Sequence, residues 1–207
     1  MSFELVIFLI GLLSYLIGSI SFAIVVSRFR GIDDPRTYGS GNPGATNVLR
    51  SGDKVAAALT LLGDAAKGLV MVLTAQAFAD LLLPSEWHVT ATAVAGFSVF
   101  LGHLFPIYFR FQGGKGVATA FGVLLAFDPM LGAMVGVLWL AVAKISGISS
   151  LAALIAATAA PIITLWRNGL DVMFWSVLGI AVLLVIRHKK NIAQLLSGQE
   201  KSFKKKP

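Results

Sequence analysis

The sequence predicts an all-α protein, a polytopic membrane helical bundle of about seven transmembrane helices, with its N-terminus outside and its C-terminus cytoplasmic. Three observations carry this. Of 207 residues, 57% are hydrophobic and only 13% charged, against about 25% charged in an average soluble domain. The apolar residues fall in runs close to the roughly 20 residues that cross a bilayer as a helix. The connectors between runs alternate in positive charge. A mean hydropathy of +0.82 agrees. A soluble chain of this size has no means of covering so much apolar surface, and lipid removes that need.

The chain reads as one membrane-embedded domain, 1–207, with spans at 3–26, 55–80, 88–106, 114–127, 129–145, 151–166 and 171–187 and a basic tail at 188–207. The first span has Glu4 and no Lys or Arg before Arg28, which is unlike a cleavable signal peptide. The second is interrupted by Asp64 and Lys67. Three apart, they share a helix face and suggest an internal ion pair, structural in the first reading and part of a transport path in a rival one. The third ends near His103, which is ambiguous. The apolar part of the fourth, Val117 to Phe127, is 11 residues long. That is typical of a re-entrant or buried segment; starting earlier, at a locally thinned bilayer, it also spans. A re-entrant hairpin of the fourth and fifth runs leaves the termini on opposite sides all the same. Gly132 and Gly136 on the fifth, and Ala152, Ala153, Ala156, Ala157 and Ala160 on the sixth, offer smooth faces for close helix packing.

Orientation follows from the cations. Residues 27–54 carry Arg28, Arg30, Arg36, Arg50 and Lys54, whereas the next connector has only Asp80 and Glu86. Arg110 and Lys115 follow, then Asp128 alone, then Lys144. Arg167, beside Asp171, is the exception. The tail holds Arg187, Lys189, Lys190, Lys201, Lys204, Lys205 and Lys206 against Glu200. Positive connectors face the cytoplasm, and a basic tail there meets anionic membrane lipid, not nucleic acid. The chain has no cysteine, so thiolate metal sites and a Cys nucleophile are excluded. The three histidines are scattered. No metal and no organic cofactor is expected.

The unusual polar residues gather on the cytoplasmic side in three segments: GSGNPGATNVLR (Gly39 to Arg50), FQGGKG (Phe111 to Gly116) and RHKKNIAQLLSGQE (Arg187 to Glu200). Gly39, Gly41 and Gly44 let backbone N–H groups surround an anion, and a helix N-terminus behind them adds its positive end. Ser40, Asn42, Thr46 and Asn47 are short hydrogen-bonding side chains, and Arg50 can hold two phosphate oxygens. The spacing is not that of a Walker A loop, and a glycine-rich loop by itself is equally an ordinary solvated turn. Gly113 and Gly114 precede Lys115, a compact cation for an anion, or else a simple turn with a positive-inside lysine. His188 and Asn191, three apart, share a face if a helix continues from the last span; His188 then orients or protonates an oxyanion, or is merely interfacial.

Together the three segments resemble the motifs of the PlsY family, the bacterial membrane glycerol-3-phosphate acyltransferases that use acyl phosphate. GHLFPIYFRFQGGKGVAT resembles the second motif at full length, and GDAAKG (Gly63 to Gly68) a further recurring element. The resemblance covers nearly the whole chain. It implies transfer of a fatty acyl group from acyl phosphate to the sn-1 hydroxyl of glycerol 3-phosphate, giving lysophosphatidic acid and phosphate in the first committed step of phospholipid synthesis. It implies a bacterial inner membrane location, a site facing the cytoplasm, and a functional link to an enzyme that makes acyl phosphate. Carried over by position, Ser40, Arg50, Lys115, His188 and Asn191 would hold glycerol 3-phosphate or the acyl phosphate head, and Asn42, Thr46 and Asn47 would complete the phosphate loop. Gln194 stands where the family often has arginine and Ala153 where serine is common, with Ser149 or Ser150 as substitutes.

Two phosphorylated substrates explain several cationic anchors, and a lipid tail explains a site at the membrane surface. No His is followed by Asp five positions later, so the H-x-x-x-x-D signature of other acyltransferases is missing. Direct attack without an acyl-enzyme is the expectation, with a substrate phosphate, Ser40 or His188 as the proton acceptor. The rival readings are a transporter for an anionic solute, which lacks the expected inverted repeat, and a structural membrane subunit, which leaves the cationic loops unexplained.

Overall fold

A computed structural model of the protein describes residues 2–202. Lys204, Lys205 and Lys206 of the basic tail lie outside the described residues. The helices are α1 (Phe3–Gly18), α2 (Phe22–Phe29), α3 (Ala45–Val48), α4 (Lys54–Leu82), α5 (His88–Leu104), α6 (Val117–Phe127), α7 (Pro129–Ser146), α8 (Ser149–Asn168), α9 (Val172–Arg187) and α10 (Lys189–Leu196). Among the described residues there is no strand.

Side-chain caps start the helices where a polar residue precedes an apolar run. Asp53 accepts from Ala56 N at 2.9 Å at the start of α4, and Asp171 from Phe174 N at 2.8 Å at the start of α9. Asp128 accepts from Met130 N at 2.8 Å ahead of α7, whose first residue is Pro129. Each satisfies an N–H that the helix itself leaves open, and proline at the first helical position has no N–H to lose. Among the described residues five helical segments are long and apolar enough to cross a membrane, and α9 with α10, bent by 60°, counts as a sixth if the pair is taken as one span.

Two predicted spans take a different form. The first is not one helix: α1 and α2 are separated by a break at Ser19–Ser21, and together they form a 27-residue apolar segment, Phe3–Phe29. The break is held from outside the helix, because the Lys67 ammonium donates to Ile20 O at 2.7 Å, taking a carbonyl that has left the helical ladder. The fourth is short. α6 begins at Val117, so its 11 residues rise only about 16 Å, roughly half of a hydrocarbon core.

Small residues make the contacts, as expected. Gly132 packs on the Leu125 backbone and Gly136 on the Phe121 ring, seating α7 against α6. Ala152, Ala153, Ala156, Ala157 and Ala160 of α8 are buried, and its sixth alanine, Ala159, is half-buried. Asp64 and Lys67 form the predicted pair, 2.8 Å apart. Arg167, the exception to the charge pattern, pairs with Asp128 at 2.5 Å and not with Asp171, which is occupied as the α9 cap. Its charge is neutralised where the other cation-poor connector also lies.

Candidate active site

The first glycine-rich segment is organised by one buried side chain. Asn47 Oδ1 accepts from Ser40 N at 2.9 Å, and its Nδ2 donates to Pro35 O at 2.6 Å and Tyr38 O at 3.1 Å. Asn47 therefore braces the loop and points away from any ligand. Gly39 has φ +61°, and a Cβ there would stand 2.2 Å from Asn47 Oδ1 and 3.2 Å from Arg50 Cδ. Only glycine lets the loop lie this close to both residues. Ser40 and Thr46 are exposed, and Asn42 N donates to Ser40 Oγ at 3.4 Å. The helix predicted behind this loop is only α3, four residues long, followed by a turn of 3-10 helix that carries Arg50. A helix that short supplies little dipole, because few peptide units are aligned. Any anion held here is held by N–H groups and Arg50.

The second segment is clamped from two sides. Gly114 N donates to His103 O at 3.2 Å. Arg187 Nη2 donates to Gly113 O at 2.7 Å, and its Nε to Gly114 O at 3.2 Å. The same guanidinium lies 5.6 Å from the centre of the Phe105 ring. The two carbonyls turn toward Arg187, and Lys115 is carried into the third segment, where its Nζ donates to Asn191 Oδ1 at 2.5 Å.

The third segment bends where a continuous helix was expected. His188 sits at the 60° junction of α9 and α10, 2% exposed. Its Nδ1 lies 2.8 Å from Leu184 O. A carbonyl only accepts, so Nδ1 carries the proton and Nε2 is left as an acceptor. Asn191 Nδ2 donates to Glu200 Oε1 at 2.7 Å, and Ser150 Oγ donates to the same oxygen at 2.5 Å. Of the two serines proposed as substitutes, Ser150 joins the site.

The three segments thus meet at one end of the bundle. Burial chiefly, then the charges of Arg50 and Arg187, push the Lys115 ammonium below its usual range, with Glu200 opposing them. An anion placed among these cations relieves their repulsion. Beside them, Arg36, Gly41, Pro43, Phe111, Gln112, Gly113 and Arg187 line a cavity of about 300 Å³, within the range that admits a small ligand. Arg36 is partly committed: its Nη2 is 2.6 Å from Asp34 Oδ2, and the guanidinium holds that carboxyl below its usual range. Sequence reasoning missed Arg36, Arg187 and Glu200 as site residues. Arg187 and Glu200 were counted as tail charges; Arg187 ends α9 against the two-glycine loop, and Glu200, beyond the bend at His188, returns to Asn191 and Ser150.

The family model for glycerol-3-phosphate acyltransferase matches residues 8–198. The chain belongs to this family. It is an integral membrane acyltransferase. It is 55% identical over 192 residues to the glycerol-3-phosphate acyltransferase of Cupriavidus metallidurans, covering 93% of this chain and 94% of the relative. It is 53% identical over 193 residues to that of Neisseria gonorrhoeae, covering 93% and 95%. The fold matches PlsY, an integral membrane glycerol 3-phosphate acyltransferase solved in its glycerol 3-phosphate form, with TM-score 0.87, 31% identity and 96% of both chains covered. A lysophosphatidic acid form of PlsY matches with TM-score 0.85 and 30% identity over 96% of this chain and 95% of that one. Family membership sets aside the transporter and structural-subunit readings.

Proposed function

We propose that the enzyme transfers a fatty acyl group from acyl phosphate to the sn-1 hydroxyl of glycerol 3-phosphate, releasing lysophosphatidic acid and inorganic phosphate. The observation that carries this is the grouping of Arg50 and Arg187 around Lys115, with Arg187 clamped on the two-glycine loop and a cavity at its side. Three clustered cations suit two phosphorylated substrates better than one. Arg50 and Lys115 anchor phosphate, the N–H groups of Gly39, Gly41, Gly44, Gly113 and Gly114 supply further donors, and Ser40, Asn42, Thr46 and Asn191 complete the polar wall. Asn47 contributes by fixing the loop.

The hydroxyl oxygen attacks the acyl carbonyl carbon, and the bond from that carbon to the phosphate oxygen breaks. Phosphate leaves with the bonding electrons, and the hydroxyl proton passes to a phosphate oxygen. The rival acceptor for that proton is His188 Nε2, which the contact of Nδ1 with Leu184 O leaves open. Phosphate is a good leaving group, so holding both substrates in attack geometry supplies much of the acceleration, up to about 7–11 kcal/mol. No acyl-enzyme forms; a trapped acyl-Ser40 species overturns this step.

The donor is tested with purified protein in detergent, labelled glycerol 3-phosphate, and palmitoyl phosphate, palmitoyl-CoA or palmitoyl acyl carrier protein in parallel. Product from palmitoyl phosphate alone is expected. Product from either thioester with none from acyl phosphate ends the proposal.

The same reading places the enzyme in a bacterial inner membrane as a single domain, linked in function to an enzyme that makes acyl phosphate, with the site cytoplasmic and the N-terminus outside. The neutralisation of Arg167 by Asp128 supports this orientation, since it removes the one cation that opposed it. The chain has no cysteine, so single cysteines report topology cleanly. In intact cells a membrane-impermeant maleimide is expected to label Ser85→Cys and to miss Lys190→Cys until the cells are opened. The reverse pattern inverts the topology.

A further inference from the structure

Beneath the two-glycine loop lies a buried polar cluster that acyl transfer as described does not use. Asp64 and Lys67 on α4, His103 at the end of α5 and Thr119 in the first turn of α6 are all buried. Lys67 Nζ stands 2.8 Å from Asp64 Oδ1 and donates to Ile20 O. His103 Nδ1 stands 3.4 Å from the same carboxylate oxygen and 3.2 Å from Thr119 Oγ1. Ionisable groups inside a membrane bundle are costly and persist where they are paired or have a task, and well-packed apolar residues often hold a core equally well. The cluster therefore calls for a reason beyond cohesion.

What the cluster touches supplies that reason. Ile20 O belongs to the break between α1 and α2. His103 O accepts from Gly114 N at 3.2 Å. A Cβ on Gly114 would come within 2.3 Å of His103 Nε2 and 2.9 Å of Pro43 O. The imidazole edge, the first glycine-rich loop and the second thus meet at one Cα, with no room for a methyl group. Nδ1 makes its hydrogen bond with Thr119 Oγ1 and stands beside the Asp64 carboxylate, which keeps the Nε2 edge of the ring on the loop.

We propose that Asp64, Lys67, His103 and Thr119 form a positioning network that sets the depth of the Gly113–Lys115 loop against the first loop, and so fixes the binding geometry for the phosphate of glycerol 3-phosphate. This rests on the reading that the loop binds a substrate phosphate. His103 is the support that touches the loop. Asp64 and Thr119 hold its ring, and Lys67 ties the same carboxylate to the broken first span. These are positioning residues, since none of them needs to touch substrate.

The experiment uses the full chain in detergent, with initial rates across glycerol 3-phosphate concentration at saturating palmitoyl phosphate. Thr119→Val keeps the side-chain shape and removes only the hydroxyl; Thr119→Ser restores it; His103→Ala removes the support. The expected result is KM for glycerol 3-phosphate raised about threefold in Thr119→Val and at least about tenfold in His103→Ala, with kcat within twofold and the thermal midpoint nearly unchanged. Thr119→Ser returns KM to the wild-type value. An unchanged KM in Thr119→Val overturns the proposal, as does a fall in kcat and folded fraction with no KM change, which marks a merely structural cluster. If His103→Ala does not fold, the two Thr119 variants decide. If the wild type does not turn over palmitoyl phosphate, the donor reading fails by itself. Calorimetric Kd values for glycerol 3-phosphate then replace KM in the same comparison.

Discussion

Lys115→Met is expected to lower kcat/KM for acyl transfer by about 10²- to 10³-fold, the size of effect seen when one preorganised donor to a developing anion is removed. Arg50→Ala is expected to cost about 10- to 100-fold, in line with the loss of a charge-assisted hydrogen bond. The order follows from surroundings. Lys115 is partly buried between the two-glycine loop and Asn191, to which it donates. A charge fixed where water is scarce acts more strongly on an anion than one in solvent. Arg50 is exposed on a turn, its side chain lying over Gly39, so water and salt weaken it. Lys115→Arg is expected to rescue poorly, since a planar fork does not replace a compact ammonium beside Asn191. Labelled lysophosphatidic acid formation at varied glycerol 3-phosphate gives all three numbers. Lys115→Met within threefold of wild type removes Lys115 from the site.

Much of this site was legible before any coordinates. The seven apolar runs, their alternating connectors and the three polar segments on one side follow from hydropathy and charge, which depend on residue type and order alone. Asp64 and Lys67 were paired correctly because three-residue spacing puts side chains on one helix face. What was not legible depends on where the backbone stops being regular. The break at Ser19–Ser21 lies inside an unbroken apolar run and is stabilised by Lys67, 47 residues away from Ile20. Arg187 looked like one more charge in a basic tail, because its partners Gly113 and Gly114 are more than 70 residues distant. Asn47 looked like a phosphate ligand by type, yet its amide is fully used in holding Pro35, Tyr38 and Ser40. A short polar side chain in a glycine-rich loop has two uses, and sequence does not say which one the backbone leaves open.

Arg187 separates those uses experimentally. Arg187→Leu leaves Gly113 O and Gly114 O without their donor, in residues that are themselves buried. An unsatisfied buried carbonyl costs about 1–3 kcal/mol. The pair therefore costs about 2–4 kcal/mol, because one carbonyl recovers part of its loss from water; the loop escapes this cost by swinging out to solvent, so the geometry that carries Lys115 becomes about 30- to 1000-fold rarer and kcat/KM falls by up to that factor. Two accounts give a loss of that size: Arg187 holds the loop that carries Lys115, or it contacts substrate phosphate from the cavity wall it shares with Arg36. A double-mutant cycle distinguishes them. If Arg187 acts by holding the loop, much of its effect passes through Lys115. Adding Arg187→Leu to Lys115→Met then costs clearly less than Arg187→Leu alone, within about tenfold. If the two losses multiply in full, Arg187 acts on the ligand independently and the clamp is not its main function. Arg187→Lys sharpens the choice. A lysine reaches one carbonyl at a time, so the clamp predicts partial rescue at best, whereas a simple need for positive charge near the phosphate predicts nearly complete rescue.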